Sequence, residues 1–162
     1  MKFEDAVQIA QGRPRPDGRF IEACTAVVTA VEAKADQKVE ALVSRAIGYA
    51  MGKQYEKALS DLDEAVRLHP TFDRAYVNRA NVYSILRKDQ MALSDYGRSI
   101  DLNPTNPIAY IGRGQLHRRL GMIGEAVADV AMACALDEEN PHYVRLWEEL
   151  LDESQAAAAK PN

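Results

Sequence analysis

Apolar residues along this chain recur at spacings of three and four, the period of an amphipathic helix. Between residues 55 and 68, Ala58, Leu59, Leu62, Ala65 and Val66 fall on one helical face. Pro70 follows and forbids continuation, and Pro104 does the same one segment later. Asn106 before Pro107 supplies a helix cap followed by a first-turn proline. The pattern predicts helices in pairs: 38–51 with 55–68, 72–86 with 89–102, and 107–120 with 123–136.

Sliding the chain against itself by 34 residues aligns 42–70 with 76–104 and then with 110–138. Ala46, Ala80 and Gly114 form one column, and Ala58, Ala92 and Ala126 form another. Small residues at these points let two antiparallel helices approach closely. Tyr49, Tyr83 and His117 supply bulk beside them, and Leu68, Leu102 and Leu136 close the second helix of each unit.

These columns resemble the tetratricopeptide repeat, a helix–turn–helix unit of this period, in its bacterial form. The resemblance covers 39–140, and 141–153 resembles the solvating helix that ends such arrays. The third unit departs from the pattern with Glu138 where the terminal proline belongs, and Pro141 makes the stop instead. The pentatricopeptide class, which reads RNA, has a period one residue longer. The resemblance implies an all-α fold, a right-handed α-solenoid of antiparallel helix pairs. Its parts would be a degenerate N-terminal unit (1–36), repeats at 37–71, 72–105 and 106–140, the capping helix, and a flexible tail (154–162). In the degenerate unit, 18–35 resembles a second helix through Phe20, Ala23 and Val27, and a first helix at 3–11 is cut short by Pro14 and Pro16. Ala23 stands 35 residues before Ala58, so one residue is inserted between units.

Charges recur at the same step: Arg45, Arg79 and Arg113, and Asp61, Asp95 and Asp129. An exposed arginine row would serve an anionic ligand. A paired row would clasp helices together, since arginine holds carboxylates in a bidentate fork. The clasp is the preferred reading, within a unit or between neighbours.

The resemblance also implies that the first helix of each pair lines a concave side that grips an extended peptide or a partner's helix. The candidate binding residues are Val43 and Ile47 (with Met51), then Arg74, Asn78 and Asn81 (with Ile85), then Ile108, Ile111, Gln115, Arg118 and Arg119. This groove is apolar at its N-terminal part, amide-bearing in the middle and basic at the third unit. Asn78 and Asn81 can hold an extended backbone through their donor and acceptor groups, or stand as solvated surface. The basic run at 117–119 suits a carboxylate, or simply complements a helix dipole. Related domains that clamp the C-terminal carboxylates of heat-shock chaperones need polar groups where this chain has Val43, Ile47, Ile108 and Gly112. Only Asn78 matches, so that clamp is rejected.

Composition adds limits. A hydrophobic fraction of 47% and a charged fraction of 27% describe an ordinary globular chain. A formal charge of −4 argues against nucleic-acid binding. No apolar stretch is long enough for membrane insertion, and Met1 opens no run of signal-peptide length. A cytoplasmic protein is expected, or a periplasmic or secreted one if Met1 replaces a removed signal. The segment IEACTAVV resembles small, often exported bacterial repeat proteins, but the cysteine that usually stands upstream is Ala10 here. Cys24 and Cys134 read as buried small hydrophobes at opposite ends of the fold. His69, His117 and His142 show no metal-ligand spacing. Gly112 and Gly114 expose backbone, yet no phosphate-loop motif follows a strand. No cofactor, metal or catalytic residue is therefore expected. The expectation is a non-catalytic scaffold with a protein or peptide partner. The alternative is a homodimer joined through the terminal helices, with Trp147 as its contact.

Overall fold

In a computed structural model, residues 1–158 are described. Among them nine helices follow one another: α1 (Phe3–Ala10), α2 (Gly18–Thr29), α3 (Ala35–Met51), α4 (Tyr55–Leu68), α5 (Asp73–Ile85), α6 (Asp89–Leu102), α7 (Pro107–Arg119), α8 (Ile123–Leu136) and α9 (Pro141–Ala158). Each odd-numbered helix packs on the even one that follows, and α9 closes the array against α8. Successive odd helices also touch, α1 to α3, α3 to α5 and α5 to α7, so they form one continuous layer of an all-α solenoid. No helix among the described residues is long and apolar enough to cross a membrane.

The small-residue columns do what close approach requires. Ala46, Ala58, Ala80, Ala92 and Ala126 are fully buried at the crossings inside each pair. Gly112, expected to expose backbone, is instead a packing position. A Cβ there would stand 2.5 Å from the Tyr96 ring, so only glycine lets α7 lie against α6.

The turn inside each pair also repeats. Lys53 (φ 58°), Arg87 (φ 59°) and Gly121 (φ 78°) occupy the left-handed region at the 34-residue step. The amide after each bonds back five residues: Gln54 N to Tyr49 O at 2.8 Å, Lys88 N to Tyr83 O at 2.9 Å, Met122 N to His117 O at 2.9 Å. This is the Schellman closure, which favours glycine at the left-handed residue. The first two repeats place long side chains there.

The recurring arginines and aspartates pair within each repeat, which settles the choice the sequence left open. Arg45 holds Asp61 through Nε and Nη2, both at 2.8 Å. Arg79 holds Asp95 at 2.7 and 2.9 Å, and Arg113 holds Asp129 at 3.0 and 2.6 Å. The hydrogen bond to its aspartate raises the pKa of each guanidinium above its ordinary value. The first two arginines also reach the preceding pair: Arg45 Nη1 donates to Thr25 and Arg79 Nη1 to Asp63, at 2.9 and 2.8 Å. Gly97 stands at the Asp63 position of the next repeat, so Arg113 meets no carboxylate there. His117 fills in differently, its Nδ1 lying 2.9 Å from Asp129 Oδ2.

Two boundaries differ from expectation. The helix expected over 18–35 ends at Thr29, and residues 30–34 form a connection carrying the inserted residue. Thr25 and Thr29 turn their hydroxyls onto carbonyls four residues back, and Ala30 becomes extended. The Gln37 side chain then accepts from Lys34 N and starts α3. The capping helix, expected to end at 153, runs on to Ala158 because Ser154–Ala158 are mostly good helix formers. The remainder of the expected tail, 159–162, lies outside the described residues.

Arg79→Ala leaves Asp95, 7% exposed, without its partner; the expected loss is about 3 kcal/mol by urea denaturation. Arg113→Ala, at a more exposed fork lacking the second tie, is expected to cost less. Arg87→Gly relieves the left-handed residue and is expected to stabilise by about 1 kcal/mol, read as a higher Tm.

Candidate functional site

The layer of odd helices carries two clefts. Between α3 and α5 lies a cleft of about 260 Å³. Ile47, Ala50 and Met51 form one wall, Val82 and Ile85 the other, with Leu62 at the base and Asn78 and Asn81 at the side. Met51 and Ile85 are 57% and 54% exposed, large apolar side chains at the C-terminal ends of α3 and α5. A space of this size takes one large apolar side chain.

Its existence follows from one column. Leu62, Tyr96 and Val130 recur at the 34-residue step on the even helices. Leu62 leaves room beside Asn78. Tyr96 instead pushes its ring against Gly112, the residue that follows Asn78 by 34, and fills the equivalent space between α5 and α7. The Tyr96 hydroxyl donates to Asn81 Oδ1, fixing that amide at the cleft wall. Asn78 Nδ2 donates to Arg74 O at 2.8 Å.

A second cleft of about 390 Å³ adjoins the first toward the N-terminus. Val7, Ala10, Val27 and Ala41 are its apolar floor, and Asp36, Gln37, Glu40 and Ser44 of α3 its polar wall. Arg74 closes it from α5, donating to Glu40 at 2.8 Å. None of the α3 polar residues was among those expected from the sequence. The signal was present, since Glu40 and Ser44 stand 34 residues before Arg74 and Asn78.

Of the residues expected in the groove, Ile47, Asn78 and Asn81 come together in the first cleft and Arg74 in the second. Ile108, 56% exposed, and Gln115 stand on the same layer further along, on α7. Val43 and Ile111 do not line the groove. Val43 is 0% exposed in the core of the first repeat, and Ile111 is buried with Val130 and Leu146. Both face inward because each odd helix is covered on two sides, by its partner and by its neighbours. Arg118 and Arg119 are not free cations either. Arg118 binds Glu153 and Glu149 of α9, and the bond to Glu153 raises its pKa. Arg119 donates to Asp89 at 2.7 Å and to Ser84 at 3.0 Å. Trp147 on α9 is 36% exposed. Among the described residues no group of three or more His, Cys, Asp or Glu side chains could hold a metal ion.

The fold and its groove define a helical-repeat protein. The family description of the tetratricopeptide repeat matches residues 73–106. Solved structures extend the likeness. The Arabidopsis OM64 TPR domain is 26% identical with TM-score 0.66, covering 72% of this chain and 97% of that one. The first TPR of Spaghetti (RPAP3), bound to the HSP90 peptide SRMEEVD, is 25% identical with TM-score 0.69, covering 80% of this chain and all of that one. The first TPR domain of human RPAP3 is 25% identical with TM-score 0.68, covering 75% of this chain and 93% of that one. No curated protein matches. Residues 73–106 thus match a tetratricopeptide repeat, and the fold around them is similar to that of solved tetratricopeptide-repeat domains.

Burial pushes the Tyr96 hydroxyl up to about 12, against about 10 in an unfolded chain. The folded pKa is the higher, so the phenol's contribution is whole below pH 10 and lost as pH rises toward 12. Tyr96→Phe is expected to cost about 1 kcal/mol at pH 8, with the cost shrinking as pH climbs through 10 to 11. Urea denaturation of both chains at each pH checks this; a cost independent of pH would contradict the burial.

Proposed function

We propose that this protein is a non-catalytic adaptor that holds a segment of a protein partner along the α3–α5–α7 layer. One observation carries the reading: Met51 and Ile85 stand exposed around a preformed cleft, with amide groups fixed at its side. An apolar space with a few placed polar groups is the usual form of a recognition pocket. With Asn78 Nδ2 and Asn81 Oδ1 engaged inside the chain, the Asn78 oxygen and the Asn81 Nδ2 are left as an acceptor and a donor for a peptide unit of an extended segment.

The Spaghetti domain, bound to its HSP90 peptide, supports peptide recognition on this fold. The partner here has different chemistry. Val43, Ile47, Ile108 and Gly112 stand where a carboxylate clamp needs polar groups, and the nearby arginines are already paired inside the chain. Reversing Arg118 and Arg119 would therefore disturb the α7–α9 contact, so the apolar rim makes the better test.

Affinity capture from the native lysate should retain a partner on the wild type and lose it on Met51→Glu/Ile85→Glu with unchanged circular dichroism. Retention by both chains would overturn the groove reading. It would move attention to self-association through α9, where Trp147 stands exposed.

A further inference from the structure

Helix α9 repeats the first helix of a pair without its second. Pro141 stands 34 residues after Pro107, and the same step carries the inward columns onto α9. Trp147 falls at the position of Arg45, Arg79 and Arg113, Glu148 at that of Ala46, Ala80 and Gly114, and Leu151 at that of Tyr49, Tyr83 and His117. On α3, α5 and α7 this face is covered by the even helix that follows. On α9 no helix covers it among the described residues, while Leu146 and Leu150 are buried with Tyr110, Ile111 and Val130. Trp147 and Glu148 are exposed, and Leu151 is half-buried. Glutamate at the small-residue crossing keeps a close-packed antiparallel helix off, so the face suits a different partner.

Charge says which. Residues 137–153 hold seven carboxylates and one arginine, a net −6 in a chain whose total is −4. Glu149 and Glu153 are taken by Arg118, whereas Glu148 and Asp152 are exposed and make no ion pair among the described residues. Two α9 faces brought together would set these carboxylates against each other. A basic counterpart is needed.

One lies at the other end of the described array. The connection from α1 to α2 carries Arg13, Arg15 and Arg19, all exposed and without an ion pair among the described residues. Pro14 and Pro16 restrict its backbone, and Gly48 seats it on α3. A Cβ at Gly48 would stand 2.7 Å from the Arg15 carbonyl oxygen, whereas buried Val82 and Leu116 occupy that column in the next two repeats. Asp17, the one acid in the stretch, is spent as the α2 cap. Asp5 and Glu22 share a neighbouring cleft with Arg19, so the basic surface is local to the loop. Beside it is a cleft of about 350 Å³, with Ile9 and Phe20 as apolar lining and Arg15 and Arg19 among its walls.

We propose that this cleft receives Trp147 of a second copy, joining copies head to tail. The indole packs on Ile9 and Phe20 under an arginine, and Glu148 and Asp152 meet the loop guanidinium groups. A contact between unlike surfaces at opposite ends grows into open chains or rings rather than closed pairs.

Sedimentation velocity of the full chain, over a range of concentrations at low and high salt, tests this. The wild type should exceed 18.0 kDa increasingly with concentration and fall back toward it in high salt. Trp147→Ala should weaken association about thirtyfold. Arg15→Glu/Arg19→Glu and Glu148→Arg/Asp152→Arg, each with unchanged circular dichroism, should stay monomeric alone and associate when mixed, since each offers the other its complement. A wild type that is monomeric at every concentration would overturn the proposal. Association of Arg15→Glu/Arg19→Glu alone would overturn it too, placing the contact between two α9 helices, and so would a mixture that stays monomeric. None of these substitutions touches the Ile47–Ile85 cleft, so the adaptor reading stands or falls separately.

Discussion

The guanidinium–carboxylate fork between the two helices of each repeat is the contact around which the remaining structure is arranged. It sits beside the alanine and glycine columns, where the helices are too close for any bulky pair, and it is directional where the apolar contacts are not. A buried ion pair is poor evidence of net stabilisation, because desolvation offsets much of the attraction. Its use here is register. An arginine held at Nε and Nη2 by one aspartate fixes both the axial position and the rotation of the odd helix against the even one. Where Nη1 also reaches Thr25 or Asp63, the same side chain fixes the next pair as well. The third repeat has Gly97 at the Asp63 position and uses His117 on Asp129 instead, so the fork survives while its surroundings change.

With each odd helix held from its inner side, its outer side is released from structural duty. That is why groove residues vary from repeat to repeat while the forks do not. Serine, asparagine and glycine stand at one groove position (Ser44, Asn78, Gly112), and glutamate, arginine and isoleucine at another (Glu40, Arg74, Ile108). The groove is not shaped by these residues alone. Leucine at 62 and tyrosine at 96, both on even helices, decide whether the space between neighbouring repeats stays open or is filled. The clefts therefore cluster in the N-terminal half of the layer.

Much of this was legible in the sequence because the repeat records the same contact three times. The columns gave the helix pairs and the fork, and Asn106 and Pro107 marked the start of α7, where the cap bond is found. What stayed hidden depends on contacts that do not repeat. Val43 and Ile111 share a column on the helix that lines the groove, yet face the core. Their inward turn comes from the packing of successive odd helices, which periodicity within one helix does not report. Gly112 looked like exposed backbone because its reason, Tyr96, lies on a neighbouring helix. The break at Thr29 rests on threonine hydroxyls competing locally for carbonyls, a weak signal inside an otherwise helical pattern.

The charge along the layer completes the picture. Counting residues would put the basic end of the groove at Arg118 and Arg119. Counting unpaired charge reverses the assignment. Those two cations are satisfied by Glu149, Glu153 and Asp89, groups that belong to the same chain and are always at hand. An acidic ligand would have to displace intramolecular partners whose effective concentration is high, for the gain of replacing one carboxylate by another. At the opposite end Asp36 has no such partner among the described residues, and Glu40 has one, Arg74, from the other wall of the cleft. The charged lining of the N-terminal cleft is therefore Asp36, Glu40 and Arg74, with Glu40 and Arg74 paired to each other. Ion pairs across the repeats, in joining α7 to α9 and α3 to α5, also determine which charges remain for recognition.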